Sequence, residues 1–271
     1  MTRLGFFCMR MRCLAIACAT AVALCAPFGA SSQTKKSTAA PAASAAFDPH
    51  DLRGVWFDDH PRPNTVMERY WAYEFTKEEP PMTDWGLAQY KAARPSFGPH
   101  AFPLAQTNDP MYHTCVPLGF PHIYLYPLPL QIVQTPGEVI VLFEWDSLRH
   151  HIYTDGRGHD SALGPSWMGD AIGHWEGDTL VVDTVNVNDK TWLDRIGHPH
   201  TEQLHVVERI RRVDHDHLVN DITFEDPKAY TKPWSAHLPY VLKPKWTLAE
   251  QFCEDEQTFE QIDQDAAAPK K

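Results

Sequence analysis

From Leu130 to Glu254 the sequence is a run of short segments in which apolar and polar residues alternate, broken at close intervals by turn residues. "LQIVQTPGEVIVLFEWD" holds two such segments around Thr135-Pro136-Gly137, and "SLRHHIYTDGR" follows with a turn at Asp155-Gly156. "DAIGHWEGDTLVVDTVNV", "EQLHVVERIRRVDHDHLVNDITFED" and "WSAHLPYVLKPKWTLAEQFCE" each read as a hairpin, with turns at Glu176-Gly177-Asp178, Asp214-His215-Asp216 and Lys243-Pro244-Lys245. Side chains on a strand point alternately to its two faces, so a period of two is a strand signal. Strands this closely spaced pair with their neighbours as an antiparallel meander. Neither a P-loop nor a Rossmann glycine set occurs.

The first half adds "DLRGVWF" (Asp51 to Phe57) as an opening strand and "MTDWGLAQYKAARP" (Met82 to Pro95) as one short helix stopped by Pro95. Pro99 to Pro129 reads as a long Pro-rich loop. Gly54-x-Trp56 is the opening pattern of lipocalin-like barrels, in which the Trp plugs the closed end. With roughly eight to ten strands behind it, the expected fold is all-β: an antiparallel meander closed into a calycin- or lipocalin-like barrel.

Residues 1–33 read as a secretory signal peptide. Arg3, Arg10 and Arg12 precede an apolar stretch from Cys13 to Phe28, and small residues follow. Residues 34–46 form an Ala/Ser/Pro leader too poor in apolar bulk to fold, and 265–271 a similar tail. That leaves 47–264 as a single barrel domain, expected in the periplasm or secreted. No later apolar run approaches the roughly 20 residues of a membrane-spanning helix. Losing the signal's three arginines leaves 21 basic against 35 acidic side chains, a net charge of −14. So acidic a chain, without a basic stripe, is a poor nucleic-acid binder. Of six cysteines only Cys115 and Cys253 survive export, and an even pair in an oxidising compartment is most simply one disulfide.

"GHWEGDTLVVDT", "LHVVERIRRVD" and "DPKAYTKPW", with "DPMYHTCVPLGFPH" and "TDGRGH", resemble blocks of a family of exported bacterial proteins whose activities are largely unassigned. The resemblance runs from about Asp51 to Glu254. It implies the compartment and the β fold rather than a reaction. The family's usual Cys is followed by an acidic residue; here Val116 stands there. That departure weighs against a Cys/Asp metal site.

Strand alternation nominates the residues that carry chemistry. In "EVIVLFEWD" Glu144 shares a face with Ile140 and Leu142, and a carboxylate on such a face suits a general acid. In "LHVVERIRR" Glu208 breaks the stripe of Leu204, Val206 and Ile210, with Arg149 as its expected partner across the barrel. The polar stretch after Val187 is expected to leave the strand at Asn188-Asp189. Lys190 to His200 then folds over a barrel mouth as a flap, with Trp192 turned inward. That placement brings Asp194 and His200 together as an acid–base pair at the edge of a cavity, faced by Glu208. Tyr126 and Tyr153 are expected to line the substrate's side with Trp192 and Arg149. His198, His200 and His205 with Asp183 or Glu208 form the rival metal reading, but no spaced ligand motif supports it, and neither metal nor cofactor is expected.

The expected function is therefore an exported small-molecule enzyme. It would be a cofactor-free lyase of decarboxylase type or an isomerase, acting on an aromatic or apolar substrate through carboxylate and imidazole groups. The alternatives are a non-catalytic ligand binder of lipocalin type and a metal-dependent hydrolase.

Overall fold

The structure is a computed structural model that describes residues 47–60, 73–160 and 162–253. The expected signal, leader and C-terminal tail lie outside them. Nine strands close into one barrel in chain order: β1 (Gly54–Asp58), β2 (Leu130–Thr135), β3 (Glu138–Phe143), β4 (Arg149–Tyr153), β5 (Asp170–Glu176), β6 (Thr179–Val185), β7 (His205–Arg212), β8 (His217–Glu225) and β9 (Trp234–Leu242). The all-β barrel is thus as the alternation implied. Among the described residues no helix is long and apolar enough to cross a membrane.

The barrel is mixed, which corrects the pure meander. β4 and β5 run parallel through only two residue pairs, Ile152↔Ala171 and Tyr153↔Ile172. The cause is the connection: β4 ends at the same end of the barrel as the β2–β3 turn, and residues 154–169 carry the chain back to the other end before β5 begins. Among the described residues there are also two α-helices, α1 (Asp84–Ala92) and the single turn α2 (Pro110–Thr114). Thr83 starts α1 as its N-cap, its hydroxyl accepting from the Gly86 N–H at 3.1 Å.

The two ends of the barrel differ. One carries the tight turns at 136–137, 177–178 and 213–216. Trp56, beside Arg212 at the end of β7, is fully buried. Its indole N–H donates to the Leu52 carbonyl at 2.8 Å. The Arg212 guanidinium lies 5.5 Å from the ring centroid and donates to the Asp51 carbonyl at 2.7 Å. Gly54 is required beside it: its φ is +143°, and a Cβ there would stand 2.6 Å from Leu242 Cδ1. The opposite end gathers the long connections, 59–60 with 73–129, 186–204 and 226–233, with α1 and α2.

Between the ends, inward positions are filled by buried side chains, among them Ile132, Val141, Ile152, Val182, Ile210 and Ile222. Along β3, Val139, Val141 and Phe143 are buried, while Glu138, Ile140 and Leu142 are half-buried on the outer face. Cys115, the residue after α2, forms a disulfide with Cys253, Cα to Cα 5.7 Å.

Candidate functional site

The segment after β6 builds the chemistry at the loop-bearing end. β6 stops at Val185, two residues earlier than expected, because Asn186 takes a left-handed turn (φ +58°). Residues 193–201 are then buried without belonging to any strand or helix. The buried anchor is Leu193, which joins the barrel's core; Trp192 beside it is only half-buried. The inward role expected of Trp192 therefore belongs to its neighbour.

Asp194 is fully buried, and its partner is His198 rather than His200. Its Oδ2 meets His198 Nδ1 at 2.5 Å, while Oδ1 accepts from the N–H groups of Ile196 and His198, both at 3.1 Å. This tight turn depends on Gly197, whose φ is +95° and whose pro-Cβ position is 2.4 Å from the Ala93 Cβ. The other His198 nitrogen, Nε2, faces Glu79 Oε2 at 3.2 Å, and the Tyr90 ring stacks on the imidazole at 4.4 Å. Burial opposes charge on His198, but Asp194 and then Glu79 outweigh it and raise its pKa to about 9. His198 is thus an imidazolium clamped between two carboxylates, a lock rather than a free base.

His200, also buried, has the opposite electrostatics. Burial lowers its pKa, with Asp226 and Asp189 opposing only in part. Its Nε2 lies 3.4 Å from the Thr191 hydroxyl. It lines a cleft of about 310 Å³ beside α1, together with Trp192, Trp85, Lys190 and Lys228. On the other side of α1 lies a larger, mainly apolar cleft of about 620 Å³, lined by Leu87, Tyr90, Phe97, Phe102 and Ile196, with Glu79 and His100. Ala93 lines both. No strand residue lines either, so both clefts lie outside the barrel wall.

Glu208 points into the barrel and is fully buried. It does not face Asp194 and His200. Its Oε1 accepts from Asn220 Nδ2 at 2.6 Å, and its Oε2 lies 3.6 Å from His150 Nε2. The partner expected of Glu208, Arg149, is exposed; the next residue along β4, His150, points inward in its place and stacks on Phe120 at 4.5 Å. Tyr124 and Tyr240 feel the Glu208 charge, though burial is the main reason their phenol pKa values are well raised. Glu208 Oε2, His150 Nε2, Asn220 Oδ1 and the Tyr124 hydroxyl are buried without a hydrogen-bond partner. Asn220→Leu removes the amide that donates to Glu208 Oε1 and is expected to destabilise by about 2–3 kcal/mol, the cost of leaving that buried carboxylate oxygen unpaired. Urea unfolding checks this, and a change under about 0.5 kcal/mol would show that the pair is structurally idle.

The remaining expected site residues are dispersed. Glu144 faces outward, where its Oε2 accepts from the Ala249 N–H at 2.9 Å and pins the C-terminal segment. Tyr153 lies at the short-turn end under the Arg157 guanidinium, 3.9 Å away. Tyr126 is core, packed on Trp145 at 4.3 Å with Arg195 5.2 Å from its ring. Of the eight residues nominated, only His200 and Trp192 share a cleft. The imidazoles weighed as metal ligands also separate: His198 goes to Asp194, and His205 meets Asp183 at 3.0 Å on the outer face. Among the described residues no group of three His, Cys, Asp or Glu side chains could hold a metal ion.

Two inward residues outside the nominated set had a signal. His150 is in phase with Ile152, and Asn220 with Leu218 and Ile222, so the same period of two that exposed Glu208 marks both. The two cleft lysines had none, because α1, Lys190 and Lys228 come together only through tertiary packing. No protein-family model, curated protein or solved structure matches the chain.

Proposed function

We propose that the protein is an exported enzyme that acts on a small organic molecule by side-chain acid–base chemistry, as a lyase or isomerase, in the polar cleft beside α1. The observation that carries this reading is His200. It is a buried imidazole held neutral, on the wall of a cleft open to small molecules, with a hydroxyl beside one ring nitrogen. A neutral imidazole is the form that accepts a proton, and a hydroxyl at 3.4 Å is close enough to tighten into a proton path when substrate binds. The Cys115–Cys253 bond supports export, since such bonds persist in oxidising compartments.

The test is a panel of small carbonyl compounds and carboxylic acids in D2O, followed by proton NMR for carbon-bound deuterium or loss of the carboxylate. The wild type is expected to turn over at least one compound, and His200→Ala to slow it by about 10²–10⁴-fold. His200→Asn, which keeps a polar group of similar size, controls for folding. Equal rates in wild type and both variants would remove His200 from the chemistry, and no turnover between pH 5 and 9 would remove the enzyme reading. The second reading, binding without turnover, is favoured by the apolar cleft, whose volume of about 620 Å³ falls within the usual range of ligand sites.

A further inference from the structure

Among the described residues four arginines are held in carboxylate pairs. Arg53 is paired with Asp51, Arg157 with Asp155, Arg209 with Glu176 and Arg211 with Asp221. Lys190 and Lys228 are held differently. Among the described residues neither ammonium has a carboxylate partner; each lies over an indole instead, Lys228 at 4.6 Å from Trp85 and Lys190 at 5.6 Å from Trp167. Both line the same cleft of about 310 Å³, where Asp189 is the single acidic side chain. Two lysines and one aspartate on its lining give the cleft a positive balance in a protein of net charge −11. Such a focus attracts anions, and the low-dielectric walls strengthen it.

The walls add aromatic and hydrogen-bonding groups. Trp85 and Trp192 are half-buried there, each with ring surface to offer. His200 is 4% exposed, and its Nδ1 has no hydrogen-bond partner. An unpartnered ring nitrogen in a buried wall is costly unless something completes it. The volume is at the small end of the range for ligand sites, which suits one ring rather than two.

We propose that this cleft binds a single-ring aromatic carboxylate, with Lys190 and Lys228 taking the carboxylate and the tryptophans taking the ring. The inference deepens the acid–base reading by naming its substrate class, and it rests on that reading only for turnover, not for binding. A carboxylate held by two ammonium groups beside a neutral imidazole is also the arrangement in which a proton can be exchanged next to the anion.

The probe is benzoate, with benzamide as its neutral isostere. Indole fluorescence and two-dimensional NMR of the tryptophan side chains report binding to the full-length protein. Benzoate is expected to bind saturably below about 10 mM, benzamide at least about tenfold more weakly, and added salt to weaken only benzoate. The double variant Lys190→Met, Lys228→Met, at two exposed positions, is expected to weaken benzoate at least about tenfold and leave benzamide unchanged. Benzoate affinity unchanged in that variant, equal affinity for benzamide, or indole shifts that spare Trp85 and Trp192 would each overturn the assignment. Benzoate bound as expected while no panel acid is turned over would sink the enzyme reading alone. Turnover confined to neutral compounds would sink the anion site alone.

Discussion

Cys115→Ser is expected to lower the free energy of unfolding by about 4–5 kcal/mol while leaving the folded structure in place. The bond closes a loop with a sequence separation of 138, long enough for a large chain-entropy effect. The effect enters through the unfolded chain, which the link deprives of many conformations. The folded state keeps other anchors at the same place. Asp146 Oδ1 accepts from the Cys253 N–H at 3.0 Å, the Asp146 N–H donates to the Gln251 carbonyl at 2.8 Å, and Trp145 and Gln251 form a parallel bridge. The C-terminal segment is therefore held against the β3–β4 connection even without the sulfur bridge. Urea unfolding of the oxidised wild type, the same protein in reductant and the Cys115→Ser variant measures the difference. A loss under about 1 kcal/mol, or two titratable thiols in the unreduced unfolded protein, would contradict it.

The barrel was legible because its information is local. Val139, Val141 and Phe143 announce their inward face by spacing alone, and Glu208 announces itself as the polar break in an inward stripe. Gly54-x-Trp56 lies in the first strand, as read, although Arg212, the residue that packs over Trp56, comes from a strand far along the chain. Glu144 was misplaced because its strand has apolar residues on both faces, so alternation could not say which face is the interior. The parallel β4–β5 pair was not legible because a return path in residues 154–169 looks like any other polar connection.

The site was less legible for a different reason. Asp194, His198 and His200 are near in sequence, and both imidazoles are within reach of the carboxylate on spacing alone. What separates them is the left-handed turn at Gly197, together with Asp194 Oδ1 accepting two backbone N–H groups, which aims Oδ2 at His198. Backbone conformation, not residue type, thus decides which His is charged and which is neutral. The two lysines of the cleft arrive from connections on either side of β7 and β8, and no periodicity links them.

That division between charged and neutral imidazoles is expected to set a stability optimum near neutral pH. His198 has its folded pKa at about 9, above the unfolded value near 6.5. Its contribution is fully present below pH 6.5 and is lost as pH rises through about 9, amounting to about 3 kcal/mol. Tyr90, stacked on it, has its pKa pushed up to about 12 by burial and by Glu79, so it does not ionise in that window. His122 works in the other direction. Complete burial pushes its pKa down to about 3, with Asp194 opposing and Arg195 and His200 assisting. Its contribution is present above pH 6.5 and is lost as pH falls from there towards about 3, about 5 kcal/mol in all. The lowered pKa of buried His200 adds to the same limb. Exposed carboxylates held low by arginine, such as Asp155 and Glu176, also lose stability on acidification, so the acid limb is read as a difference between proteins. Urea unfolding between pH 4 and 10 gives the profile. His198→Gln is expected to flatten the alkaline limb, and His122→Asn the acid limb. The idea fails if the alkaline limb survives in His198→Gln, or if NMR titration places the His198 pKa below 6.5, since the Asp194–His198–Glu79 chain could not then be holding an imidazolium.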